Sequence, residues 1–203
     1  MTIIRTADPE DASDEVAAIY AEDLENLGYV PIHTRVMAVN PEALRAFEAI
    51  VGAILPSLGL RLYELVTLAV AKAVGSGSCL LAHGRRARSL FGDDQLARIV
   101  QDYHEAGLSD AEVAAMDLAV QVSRDSASIT DSDSARLRDA GLTDRQIVDV
   151  VLAASLRNYY ARTLHGLAVP VDEPPDLPAE LRDALLAAPL PGHGRHVAEA
   201  PRT

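Results

Sequence analysis

The sequence predicts an all-α, single-domain helical bundle, and three observations carry that expectation. Apolar residues recur at three- and four-residue intervals along the chain, and no useful stretch alternates apolar and polar as a strand would. Helix-start chemistry precedes these periodic runs: Asn40 before Pro41, Ser109 with Glu112, Thr143 with Gln146. Aromatic residues make up only 4% of the chain, while Ala, Leu and Val abound, which suits helices packed at close range. At 203 residues the chain supplies one well-packed core rather than two.

The elements follow in order. "DEVAAIYAEDLENLG" (14–28) reads as an amphipathic helix closed by Gly28. Between Arg5 and Arg35 there are eight acids and no Lys or Arg, which gives this helix a solvated acidic face; attraction of a basic partner is the alternative. "NPEALRAFEAIVGAIL" (40–55) starts with a cap at Asn40, Pro41 at the first helical position and Glu42 at the positive dipole end. A further helix starts near Leu60 and places Leu62, Leu65, Val66, Ala69, Val70 and Ala73 on one face. It stops at "GSGS" (75–78), where Ser76 or Ser78 can cap the helix that restarts around Cys79.

"GDDQLARIVQDYHEAG" (92–107) reads as one helix bounded by glycines, "SDAEVAAMDLAVQVSRD" (109–125) as one opened by a capping box. "TDSDSARLRDAG" is short, and "TDRQIVDVVLAASLRNYYARTLHGL" (143–167) opens with a second box. The stretches 106–120 and 140–154 share loop-plus-cap chemistry, but two copies are too few for a solenoid. After Val171 the character changes. "DEPPDLPAEL" is a proline-rich linker, "AELRDALLAA" a short helix, and the remainder, with His193 and His196, a disordered tail. The domain is therefore placed at 1–172 and the extension at 173–203.

Charge and cysteine usage exclude several function classes. A net charge of -12 repels nucleic acid and anionic membrane surfaces. One cysteine permits no internal disulfide, and the N-terminus lacks the basic end and apolar run of a signal peptide. The longest apolar run, "LVTLAVAKAV" (65–74), contains Lys72 and is too short to span a bilayer, so a cytoplasmic protein is expected. His193 and His196 have no thiol or carboxylate set around them, so neither a metal nor another cofactor is expected.

The chemistry-bearing residues gather around "VGSGSCLLAHG" (74–84). Cys79 follows a turn of small residues at a helix N-terminus, where free N–H groups and the dipole favour the thiolate. His83 lies one turn later on the same face, able to bond the sulfur or carry its proton. Glu64 interrupts an apolar helical run; if buried beside an imidazole, its pKa should rise by desolvation and make it a proton shuttle. Each residue has a plain alternative: a core cysteine, a structural histidine, a glutamate on a solvated face. The joint arrangement is what points to chemistry. Among Arg85, Arg86 and Arg88, Arg86 is the candidate to hold a substrate carboxylate, with an ion-pair network between subunits or to the acidic N-terminal helix as the alternative. Asn158 and Tyr159, with Ser76 and Ser78, are further candidates for lining the same cavity, and core packing is the alternative for Tyr159 or its neighbour Tyr160.

"YELVTLAVAKAVGSGSCLLAHGRRA" (63–87) resembles the core of the alkylhydroperoxidase D and carboxymuconolactone decarboxylase superfamily. That pattern is a glutamate on one helix, then Cys-x-x-Cys, then a histidine four residues after the second cysteine. Glu64, Cys79 and His83 match it. The likeness extends to "LGYVPIHTRVMAVNPEALRAF" (27–47) and to "LRNYYARTLHGLAV" (156–169), which resemble the opening and closing of the peroxidase-related branch, so it covers roughly residues 20–172.

The resemblance implies a cofactor-independent oxidoreductase that reduces a hydroperoxide, an antioxidant role. Cys79 would be the nucleophile, and Glu64 with His83 the proton relay. Ser76 stands where the superfamily has its first cysteine. Serine cannot resolve a sulfenic acid, so an external thiol, or Cys79 of another subunit, would have to. The superfamily also includes a lyase that decarboxylates a small carboxylic acid, for which Glu64 and His83 would suffice as base and acid. A binding protein on the same fold is the third reading. The resemblance further implies a homo-oligomer, a trimer or hexamer.

Overall fold

Helix formation begins where the acidic N-terminal segment becomes amphipathic. The computed structural model describes residues 3–187, and among them are nine α-helices and no strand. Helix α1 (Asp14–Leu27) buries Ile19 and Tyr20 and turns its acids outward; Gly28 ends it at φ 81°, where its N–H bonds the Leu24 carbonyl. A six-residue helix, α2 (Ile32–Met37), follows Pro31 and was not foreseen: no side chain caps it.

Helix α3 (Pro41–Val74) starts as expected, with Asn40 Oδ1 accepting the Ala43 N–H at 2.9 Å. Its two arms meet at Gly59, whose φ of 69° and ψ of 158° belong to a region essentially reserved for glycine. This break matches the two separate helices read from the sequence. Gln146 donates to the Ser57 carbonyl and the Ser57 hydroxyl bonds Asp149, so the break is tied to a later helix. The second arm is the centre of the molecule, and every residue from Tyr63 to Ala71 is buried.

The chain then forms α4 (Gly77–Phe91), α5 (Asp93–Gln101), α6 (Asp110–Asp125), α7 (Asp131–Asp139) and α8 (Asp144–Gly166). Both expected capping boxes are present, Ser109 with Glu112 and Thr143 with Gln146. The expected helix over 92–107 is shorter than predicted. Asp102 turns extended at φ -152°, its carboxylate takes the His104 N–H, and a 3-10 turn (Tyr103–Glu105) follows.

The second arm of α3 packs against α4, α6 and α8 and divides the apolar interior into two clusters. One lies towards α1, α4 and the chain end and includes Cys79; the other lies towards α6 and α7. Leu65, Val66 and Val70 are 0% exposed, each burial contributing about 1.5–3 kcal/mol.

By length and composition alone α3 could cross a bilayer, well beyond the ten-residue run read at 65–74. Its apolarity has another use: from Tyr63 onward its second arm is the core, with Glu64 inside it, and the apolar residues it shows outward lie before that, Ile50 and Leu60 among them.

Beyond residue 172 the chain returns to the body. Asp172 accepts the Ile32 N–H at the start of α2, and α9 (Ala179–Leu186) lies on α4 and α5 with Leu181 and Leu185 buried. The fit is close: a Cβ at Gly84 would stand 2.6 Å from Leu185 Cδ1. His193 and His196 lie outside the described residues.

Candidate active site

Three elements position the site. The buried arm of α3 supplies Glu64, at 0% exposure. The first turns of α4 supply Cys79 and His83, because Ser76 caps that helix: its Oγ accepts the Cys79 N–H at 3.4 Å. Helix α8 supplies Arg157 from its inward face, a buried arginine in register with Val150, Ala153, Ala154 and Leu164. Cys79, His83 and Arg157 line one cavity of about 730 Å3, which continues outward between α1, α2 and the first arm of α3.

A carboxylate at the centre of an apolar helix demands partners. Glu64 Oε2 meets His83 Nδ1 at 2.7 Å, and Glu64 Oε1 meets Arg86 Nη1 at 3.4 Å. On the far side of the imidazole, Arg157 Nη1 is 3.0 Å from His83 Nε2. A guanidinium only donates, so Nε2 must be the acceptor and the ring proton sits on Nδ1, pointing at Glu64. His83 is therefore neutral with both nitrogens engaged. The Arg157 Nε and Nη2 donate to the Tyr63 hydroxyl, the former at 3.1 Å. The guanidinium carbon lies 5.1, 5.3 and 5.9 Å from the ring centroids of Phe47, Tyr63 and Tyr160.

The electrostatics agree with this tautomer. Burial lowers the His83 pKa to about 4 and outweighs the upward pull of Glu64. Burial would raise the Glu64 carboxyl, but His83, then Arg86 and Arg157, hold it below the ordinary carboxylate value. The expected rise of Glu64 is thus corrected: charge and hydrogen bonds win over desolvation. The expected activation of the thiol is corrected as well. Cys79 is 4% exposed, and burial pushes its pKa up, against the Ser76 hydroxyl and the Arg157 charge that favour the thiolate. Among the described residues no hydrogen bond joins the Cys79 sulfur to His83.

Residues 41–95 match the Carboxymuconolactone decarboxylase family, a span that includes Glu64, Cys79 and His83. The whole fold matches solved structures. A peroxidase-related protein with an alkylhydroperoxidase core from Ralstonia eutropha JMP134 aligns with a TM-score of 0.78 at 19% identity, over 92% of this chain and 97% of that one. A peroxidase-related protein from Silicibacter sp. TM1040 aligns at 0.75 and 28% identity, over 90% and 94%. Over residues 41–95 the chain carries the pattern of that family, and its fold is that of the alkylhydroperoxidase-like structures. The debrominase Bmp8, as a cysteine-to-alanine variant bound to 2,3,4-tribromopyrrole, shares the fold with a TM-score of 0.72 at 16% identity, over 91% and 96%. No curated protein sequence matches the chain.

The remaining candidates sort by helix face. Ser78 and Arg86 line the cavity. Ser76 does not; it caps α4 through the Cys79 N–H, and its hydroxyl favours the Cys79 thiolate. Asn158 points elsewhere, its amide on Ser123 Oγ and the Ala154 carbonyl, and Tyr159 is 47% exposed on the outer face of α8. Neither lines the cavity; their neighbours Arg157 and Tyr160 do, because the inward stripe of α8 runs through those two. The arginine cluster forms ion pairs, Arg85 with Asp176 and Arg88 with Asp93, rather than reaching the acidic N-terminal helix. His33, also in the lining, escaped the sequence reading; burial lowers its pKa to about 4. Among the described residues no group of three His, Cys, Asp or Glu side chains is gathered to hold a metal ion.

Proposed function

We propose that the protein is a thiol-based oxidoreductase that reduces an organic hydroperoxide at Cys79. The observation that carries this reading is one cavity that presents the only cysteine of the chain beside a histidine bonded to a buried glutamate. Its volume suits a small organic molecule.

In this reading the sulfur attacks the distal peroxide oxygen. An S–O bond forms as the O–O bond breaks, the sulfur is oxidised, and the alkoxide leaves as the alcohol after taking one proton. Because the resting thiol is protonated, a base must first receive its proton. His83 Nε2 is that base once Arg157 has moved off it, with Glu64 stabilising the imidazolium. One external thiol then converts the sulfenic acid to a mixed disulfide and water, and a second regenerates Cys79 and leaves as the reductant's disulfide.

Treatment with one equivalent of cumene hydroperoxide should add a single oxygen to Cys79, read by peptide mass spectrometry. Glu64→Gln keeps an acceptor for the His83 Nδ1–H but removes the charge, and should slow that oxidation by about 10²–10⁴-fold. Peroxide consumption that continues undiminished in Cys79→Ser would overturn the reading. The family match over 41–95 favours one second reading, a lyase in which Glu64 and His83 do acid–base work and Cys79→Ser leaves turnover intact.

A further inference from the structure

We propose that Arg157 is an anion anchor at the floor of the cavity, so that the substrate is an apolar molecule carrying a carboxylate next to its reacting group. The proposal rests on the function above only in taking Cys79 as the neighbouring reactive atom.

Arg157 is 6% exposed, and a cation so buried is costly unless its charge is met. Among the described residues no carboxylate lies within salt-bridge distance of it. Its three hydrogen bonds go to neutral acceptors, two to the Tyr63 hydroxyl and one to His83 Nε2, while the Glu64 carboxylate stays behind the imidazole. A guanidinium has five N–H groups, so two are left over, and the side chain borders the cavity. The rings of Phe47, Tyr63 and Tyr160 flank it. A desolvated fork with spare donors suits a planar carboxylate, and turning it towards one frees His83 Nε2.

The acids of the same cavity do not cancel this field. Glu22 and Glu48 are both bonded to Arg45, and Asp176 to Arg85. Asp23 is left without such a pair, and burial raises its pKa towards the neutral form. Leu44, Val51 and Leu164 offer the apolar contact for the rest of the ligand.

Cys79 is the only thiol, so alkylation reads the site directly. The second-order rates of iodoacetate and iodoacetamide are measured on the whole protein, and their ratio is divided by the same ratio for a cysteine peptide; the thiolate fraction cancels. The normalised ratio should exceed about tenfold in the wild type. It should approach one in Arg157→Gln and stay intermediate in Arg157→Lys, which keeps the charge without the fork. A wild-type ratio near one overturns the proposal, as does a high ratio that survives Arg157→Gln and collapses in Arg86→Gln.

If Arg157→Gln does not fold, the wild type decides. Benzoate should slow iodoacetamide at concentrations where benzyl alcohol does not, and equal protection by both overturns the proposal. Failure of Cys79 to take oxygen from a hydroperoxide would remove the proposed function and leave these ratios untouched, so the two fail separately.

Discussion

Glu64, His83 and Arg157 form a line of groups in which each is tolerable only because of the next. The carboxylate is anionic, the imidazole neutral and the guanidinium cationic, and one proton placed on Nδ1 fixes that assignment. That balance has a pH signature. Burial holds both His33 and His83 near 4 in the folded chain, below the ordinary 6.5. As pH falls, the unfolded chain takes up these protons first, so stability is fully present above about 6.5 and drains away towards about 4. The slope approaches about 1.4 kcal/mol per pH unit for each histidine. Urea unfolding at pH 7.5, 6 and 5 should show the midpoint dropping, and His33→Asn should roughly halve the drop. A midpoint that stays level from pH 7.5 to 5 would contradict both assignments.

At this scale the sequence was legible where spacing carries chemistry: Cys79 and His83 are one turn apart, and Glu64 interrupts an apolar run. Arg157 was missed for the opposite reason, since it occupies a core position on α8 that an apolar residue would normally fill. Its place on that stripe was the available signal. Polarity alone drew attention to Asn158 and Tyr159, one position off the inward face.

Between elements, the decisive junction is the entry to α4, where Ser76 both caps the helix and favours the Cys79 thiolate. A sulfur at position 76 would stand within reach of Cys79. Ser76→Cys should therefore respond to a hydroperoxide by losing two hydrogens as an internal disulfide, whereas the wild type gains one oxygen; intact-mass spectra distinguish the two. Loss of the cap should cost about 1 kcal/mol of stability. A variant that still gains oxygen would place the two side chains out of register. Element boundaries were readable wherever a side chain caps or a glycine breaks the helix, as at Asn40, Gly59, Ser109 and Thr143. α2 lacks any such cap, and the end of α5 is set by a backbone turn at Asp102, so both eluded a reading based on pattern.

At the scale of the whole molecule, one face is left apolar among the described residues. Val148, Leu152 and Tyr159 stand outward along α8 at 54%, 45% and 47% exposure, and Ile50 joins them from the first arm of α3 at 44%. The two helices are neighbours there, with Arg145 donating to the Ala53 carbonyl and Tyr159 beside Phe47. We propose that a second copy of the chain covers this face, as a homo-oligomer requires. Sedimentation of the wild type should give a mass above that of one chain, and Leu152→Glu should return it to one. A wild type that sediments as a single chain at micromolar concentration would reject the assignment.

The all-α class was legible because helical periodicity is local and repeated. The course of the chain after 172 was not, because a proline-rich composition says nothing about where the next helix lands. It lands on Gly84 and Leu80's helix, and Asp176 joins the cavity lining by pairing with Arg85. Trimming the polypeptide back to residues 20–172, the part that carries the resemblance, would therefore not leave the cavity as it is. It would take Asp176 from the lining of the chamber and set free the arginine now occupied there.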